Sequence, residues 1–270
     1  MKLGIGTYAY MWSIGFEGAQ PEKPMTALDL LAKAHEFGLH VVQYGPNLSL
    51  DTLPEHELAG LLKSAKDWDI ELEVGTRGLE PPHLRRQLEL TKRVSSKILR
   101  TIPELDGGRI PAAEEMTACV KEILPDLQAA RVKLAMENGK IPAAVLDRVL
   151  RSLASPCVGI TLDTVNSLAI PEGTKEVVTT LAPHTFCLHI KEFVVKRAWH
   201  MMGFVVEGRL AGQGQLDVPW LLGVLRRAGV EANAILELWP PEQRTLQETI
   251  AIEQAWAEES ISYLRRLIPE

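Results

Sequence analysis

Eight short apolar runs, several of them rich in β-branched residues, alternate along the chain with eight longer segments of helical periodicity. The runs predict strands over Leu3–Tyr8, His40–Tyr44, Ile70–Gly75, Lys97–Ile102, Val132–Glu137, Val158–Asp163, Thr185–Lys191 and Ala234–Trp239. Helices are expected near 25–37, 54–67, 82–95, 113–129, 142–153, 173–182, 217–228 and 243–267. Strict alternation implies parallel strands joined by right-handed crossovers. An open doubly wound sheet would carry a glycine-rich phosphate turn after its first strand, but here Ala9, Tyr10, Met11 and Trp12 follow. Eight units in 270 residues match a closed (β/α)8 TIM barrel, an α/β architecture that takes ~250 residues. No segment reads as an interdomain linker, so 1–270 is expected to form one domain.

The chain is 46% hydrophobic and 24% charged, enough apolar material for a packed core and too much for a disordered chain. Its formal charge is −6, with no run of like charges, which argues against nucleic acid or an anionic membrane as partner. Cys119, Cys157 and Cys187 are odd in number and widely spaced, so they read as reduced thiols. No stretch approaches the ~20 apolar residues of a membrane span. The N-terminal residues read as a strand rather than a signal segment, and a cytoplasmic location is expected.

Strand parity sorts inward from outward side chains. Ala135 shares a face with Glu137, as do Cys157, Gly159 and Thr161 with Asp163, Thr185, Cys187 and Lys191 with His189, and Ile235 with Glu237. The opposite faces carry Val158, Ile160, Leu162, Phe186, Leu188, Ile190, Leu236 and Leu238, which suit packing under helices.

Four ligand-type residues thereby fall at the C-terminal ends of the last four strands: Glu137, Asp163, His189 and Glu237. The 26-residue steps from Glu137 to Asp163 to His189 each equal one strand–helix unit, so the ligands should stand at equivalent heights. The 48-residue step to Glu237 adds an insertion, 192–216, read as a long loop. Three carboxylates and an imidazole form an oxygen-rich site suited to Mn2+ or Mg2+, with Co2+ or Zn2+ as alternatives.

The segments AMEN at Glu137, TLDT at Asp163, CLHIKE at His189 with the later GQGQLD, and LELW at Glu237 resemble the xylose isomerase-like TIM barrels. This is the sugar phosphate isomerase and epimerase superfamily to which endonuclease IV is related. The resemblance spans essentially the whole chain. It implies that the four residues bind one divalent cation, with Glu137 and Glu237 doubling as the acid/base pair on either side of a ketose. It also implies an apolar wall of Tyr8, Tyr10 and Trp12, with Trp239 in a similar place. Many sugar 3-epimerases carry a histidine three residues after the aspartate ligand, where this chain has Asn166. The extra histidines of the multinuclear nuclease site are not evident.

Lys191 shares the parity of His189 and is expected to stabilise an oxyanion or carboxylate, or to pair with Glu192 or another acid. Arg77 and Arg100, at the ends of strands three and four, read as a clamp for carboxylate or phosphate, or as partners of Glu71 or Glu73. Arg197, Trp199, His200 and Arg209 give the 192–216 loop the composition of a lid over an anionic sugar, with His200 a candidate proton donor. Asp217 reads as a helix N-cap with Pro219 in the first turn.

These residues predict a divalent-metal enzyme for a small polyhydroxylated carbonyl compound. Isomerisation or epimerisation ranks first. A decarboxylase or dehydratase of a 3-oxo sugar acid is the rival, and a non-catalytic sugar-binding barrel the third reading. The expected partner is a small carbohydrate, with homo-oligomerisation through exposed helices.

Overall fold

The computed structural model describes residues 1–269. Eight parallel strands close into a barrel: β1 (Leu3–Gly6), β2 (Val41–Tyr44), β3 (Glu71–Arg77), β4 (Ile98–Ile102), β5 (Lys133–Glu137), β6 (Val158–Asp163), β7 (Thr185–Lys191) and β10 (Asn233–Glu237). Around the ring the order is β1, β10, β7, β6, β5, β4, β3, β2, so neighbours in sequence are neighbours in space. The helices are α1 (Met11–Ile14), α2 (Ala27–Glu36), α3 (Glu55–Asp67), α4 (Pro81–Arg93), α5 (Ala113–Ala130), α6 (Ala143–Leu153), α7 (Thr174–Leu181), α8 (Val218–Arg227) and α9 (Leu246–Arg265). All but the single-turn α1 fall where periodicity placed them. Among the described residues no helix is long and apolar enough to cross a membrane.

Local chemistry starts the helices where the sequence marks them. Thr26 with Asp29, and Thr245 with Glu248, form capping boxes on α2 and α9. Asp217 caps α8 by accepting from the Trp220 amide, as expected. The aliphatic faces of the strands lie under the helices in one continuous core.

Inside the barrel a small plug of Val41, Cys187 and Ile235 closes the floor beneath the strand ends. Gly4 completes it: a Cβ there would lie 2.6 Å from the Val41 carbonyl oxygen and 2.9 Å from Ile235 Cδ1, so only glycine lets β1 approach.

Two expectations are corrected. The register of β6 on β7 shifts between Ile160 and Thr161, opposite Phe186. This bulge breaks the simple alternation, so Thr185 does not share the inward face of His189; its hydroxyl donates to the Leu181 carbonyl at the end of α7. Residues 192–216 are not a plain loop either. They contain an antiparallel hairpin, β8 (Phe193–Arg197) and β9 (Phe204–Gly208), whose β-branched FVVKR and FVVEG runs pair in register.

Candidate active site

The four predicted ligands meet at the open end of the barrel. Asp163 and His189 are register partners, whereas Glu137 lies opposite Thr161 and Glu237 opposite Lys191. The set thus climbs the stagger that strand tilt imposes, rather than sitting at one level of the hydrogen-bond register as equal spacing suggested. All four side chains are at most 4% exposed. Ligand atoms of Glu137, Asp163 and His189 lie within 4.8 Å of one another. Glu237 completes the ring, its Oε1 3.2 Å from His189 Nδ1. Glu137 Oε2 and Asp163 Oδ2 lie 3.6 and 3.9 Å from the same nitrogen.

The tautomer of His189 follows from the residues beneath it. Gln43 donates through its amide nitrogen to Glu73 Oε2 at 2.9 Å, which leaves Gln43 Oε1 as an acceptor, 2.8 Å from His189 Nε2. His189 therefore carries its proton on Nε2 and turns the Nδ1 lone pair toward three carboxylates. Among the described residues, Nδ1 and Asp163 Oδ2 are buried with no hydrogen-bond partner. A lone pair ringed by anionic oxygens is repulsive on its own and attractive to a cation, and the donor set fits a hard divalent ion. Asn138, in the AMEN segment, holds Asp163 in place: its Oδ1 accepts from the Asp163 amide at 2.7 Å and its Nδ2 donates to the Asp163 carbonyl at 2.9 Å.

Two cations enter this cluster. Lys191 Nζ lies 3.1 Å from Glu237 Oε2 and 3.7 Å from Asp163 Oδ2, and not against Glu192. Burial opposes its charge, but Glu237, Asp163 and Glu137 outweigh that and hold the ammonium above the ordinary lysine range. Arg100 is 2% exposed and turns both Nε and Nη2 onto Glu137 Oε2, rather than onto Glu71 or Glu73. Asn166 donates to the other oxygen of Glu137 at 2.8 Å. Burial pushes Glu137 above the usual carboxylate range against the pull of Arg100. Glu237 is also buried, yet His189, Lys191 and Arg100 hold it well below that range.

The remaining candidates divide. Tyr8 is at the mouth; burial raises its phenol, with Arg100 opposing and Glu237 adding to the shift. Trp12 and Trp239 are half-buried and oriented by indole hydrogen bonds to the carbonyls of Pro240 and Glu192, at 3.3 and 3.0 Å. Tyr10, expected at the mouth, is 1% exposed and belongs to the core. Arg77 is held at the rim by Glu104, which also binds Lys140.

Arg197, His200 and Arg209 are not brought to the cluster. Arg197 stacks on Phe204 and donates to the Met201 carbonyl, while Arg209 pairs with Glu207. His200 is exposed at the hairpin turn, accepting from the Met202 amide. The hairpin base is tied by Glu192, a buried carboxylate that accepts from the amides of Phe193, Gly212 and Leu216.

Sequence reasoning missed Gln43 and Glu73 as supports of the site. Their one signal is a polar side chain inside an otherwise apolar strand, VVQY and ELEV.

Comparison with known proteins agrees with this architecture. The chain is 31% identical over 265 residues to a 3-oxo-isoapionate decarboxylase of Pectobacterium atrosepticum, covering 98% of this chain and 95% of that protein. A crystal structure of D-psicose 3-epimerase in the presence of D-fructose superposes with a TM-score of 0.74 at 16% identity, covering all of both chains. A xylose isomerase-like TIM barrel protein from Mycobacterium smegmatis in complex with magnesium gives 0.71 at 10% identity, with 97% of each chain covered. At those identities the two structures speak for the fold alone. The family model described as xylose isomerase-like TIM barrel matches residues 9–267, and this chain belongs to that family.

Proposed function

We propose that the protein is a divalent-metal-dependent decarboxylase of a 3-oxo sugar acid. The observation that carries this reading is the ammonium of Lys191 inside the ligand cluster, 3.1 Å from Glu237. An epimerase working on a neutral ketose needs Glu137 and Glu237 free to take and return protons. Here each is engaged by its own cation, the buried Arg100 on Glu137 and the part-buried Lys191 on Glu237. Decarboxylation needs no base to remove a proton from carbon. It needs a place for an anionic substrate and a proton for the carbon that CO2 leaves. The 31% identity to a 3-oxo-isoapionate decarboxylase supports the same choice.

The roles follow from position. Glu137, Asp163, His189 and Glu237 would hold the ion, with Mn2+ or Mg2+ suited to the oxygen-rich set. When bound, a divalent ion supplies positive charge for the oxygen on which negative charge gathers as CO2 departs. The C1–C2 bond breaks, its electron pair forms the C2–C3 double bond of an enolate, and C2 then takes one proton. Lys191 delivers that proton from Nζ; its side chain is 17% exposed, so water can restore it. Tyr8, Trp12 and Trp239 wall the mouth, and Arg77 stands at the rim.

This reverses the order expected from sequence, which put isomerisation first. Isomerisation remains the second reading because Glu137 is pushed up while Glu237 is held down, the divergence an acid and a base need. Incubating metal-loaded protein with a 3-oxo sugar acid and with the matching ketose, followed by NMR, separates the two. The decarboxylase consumes only the acid; turnover of the ketose alone would overturn this proposal.

A further inference from the structure

We infer that the β8–β9 hairpin is the surface through which two copies of this chain associate. The outer edge of β9 pairs antiparallel with β9 of the second copy, giving one four-stranded sheet. This interface is separate from the reaction and does not rest on it.

The exposed apolar side chains are concentrated on the hairpin. Of the eight large hydrophobic side chains exposed among the described residues, six lie there: Trp199, Met201, Met202, Phe204, Val205 and Val206. Taking ~150–250 Å2 for a wholly exposed aromatic side chain, and less for Met and Val, they offer roughly 700 Å2 per copy. A contiguous apolar patch of that extent marks an interaction surface. It is close to the ~800 Å2 that each partner gives to an ordinary stable interface. The hairpin is also a two-stranded sheet outside the barrel, an arrangement that is marginal in water until further strands extend it.

The ladder decides which backbone groups face outward. The Arg209 amide donates to the Glu192 carbonyl at 3.2 Å and the Ala198 amide to the Gly203 carbonyl at 2.9 Å. Antiparallel pairing alternates, so Val194 bonds with Glu207 and Lys196 with Val205 inside the hairpin. Phe193 and Val195 on β8, and Phe204 and Val206 on β9, therefore turn their N–H and C=O groups outward. On β8 these groups are filled. The Phe193 amide donates to Glu192 Oε1, and its carbonyl accepts from the Gln215 amide. The Gln215 side chain accepts from the Val195 amide at 2.9 Å and donates to the Val195 carbonyl at 3.2 Å. On β9 the outward groups of Phe204 and Val206 have no partner among the described residues. An open edge bearing β-branched and aromatic residues is a template for another strand.

The strand that fits this edge is β9 itself. Pairing about Val205 sets Phe204 opposite the partner's Val206, and the reverse, so every free group on both edges is used. That is the self-matching geometry of a two-fold interface. Centring the pair on Val206 instead would set Phe204 against the partner's Gly208. The Gly208 carbonyl already accepts from Arg209 Nη1 at 2.7 Å, and the residue is buried against Trp239. In the Val205-centred register apolar side chains face each other and Glu207 faces the partner's Gly203, so no like charges are opposed.

Sedimentation velocity of the full chain across roughly 1–100 μM should show a concentration-dependent dimer. Val206→Pro removes an outward amide that takes no part in the ladder to β8, so the hairpin keeps its own bonds. It should weaken the dimer by ~10-fold or more. Leu28→Ser, on the exposed face of α2, should leave the dimer unchanged. Val205→Cys reads the register and needs no change to an outward group. The two-fold sets both cysteines at a non-hydrogen-bonded pair, close enough for a disulfide. Mild oxidation should link two copies of Val205→Cys but not of Glu207→Cys, with wild type as the control for Cys119 and Cys157. A dimer that survives Val206→Pro, or that links equally through both cysteine positions, would overturn the inference. So would a wild type that stays monomeric. Flotation of that monomer with phosphatidylcholine vesicles would reassign the patch to a lipid surface, and no flotation would reassign it to a different protein.

Discussion

The strand-end cluster and the hairpin that follows β7 are neighbours in the chain and opposites in construction. In the cluster, Glu137, Asp163, His189 and Glu237 are at most 4% exposed, and supports such as Gln43 and Asn138 fix their orientation. On the hairpin, Trp199 is 93%, Met202 87% and Phe204 67% exposed. Both regions carry cations. Those of the cluster, Lys191 and Arg100, face the carboxylates of the site; those of the hairpin pair with the hairpin itself. A basic composition in a loop near a site is therefore a weaker guide to substrate charge than a buried cation within it.

The sharpest way to break this comparison is to remove a ligand. Asp163→Ala or His189→Ala should abolish stoichiometric metal and nearly all turnover while circular dichroism stays native, because strand-end side chains add little to the core. Elemental analysis after dialysis reads this directly, and full metal retention in both variants would dismiss the ligand set.

Next comes a cation from each region. Lys191→Met should lower kcat/KM for CO2 release by ~10²-fold or more, since it removes the proposed proton donor. Arg209→Met should change it less than about 3-fold, as expected for loss of a partly exposed ion pair. Equal losses would erase the distinction between the regions.

Gln43→Leu probes the support under His189. Loss of an outer partner of a ligating histidine typically costs about 10–100-fold in metal affinity. Chelator competition should show a loss in that range, and 15N-edited NMR of the metal-free protein should show His189 leaving the Nε2–H form. A double exchange, Gln43→Glu with Glu73→Gln, keeps an acceptor for Nε2–H and should restore much of the affinity.

How much of this was legible in the sequence depends on how local the cause is. The barrel was legible because alternation and strand parity are local, and the strand-end cluster was legible because each of its four members stands at the end of its own strand. The Phe186 bulge was not, since parity counting assumes an unbroken ladder. The hairpin was passed over because its length suggested a loop, although FVVKR and FVVEG carry β-branched runs. The contact of Gln43 with His189 spans 146 residues and exists only once the barrel closes. Arg100 was legible as a strand-end cation, but its partner Glu137 emerges only from the packed interior.

The smallest effect concerns the wall of the mouth. Glu253 on α9 accepts from the amides of Trp12 and Ser13 and from the Ser13 hydroxyl, anchoring the first turn after β1. Burial pushes its carboxyl from 4.5 up to about 7, against those hydrogen bonds. The folded chain thus binds this proton more tightly than the unfolded chain does. The stability it contributes is full below pH 4.5 and is lost as pH rises through about 7. Thermal unfolding of wild type and Glu253→Gln across this window should show a decline with pH in the wild type that the variant lacks. Parallel curves would remove Glu253 as the titrating group.

The most direct test of the whole account is one reaction in D2O, with metal-loaded protein and a 3-oxo sugar acid labelled with 13C at its carboxyl carbon. The account predicts labelled CO2 in a one-to-one ratio with product, and one deuterium on the carbon that had carried the carboxylate. Deuterium entering a compound that keeps its labelled carboxyl group, with no CO2 released, would contradict it.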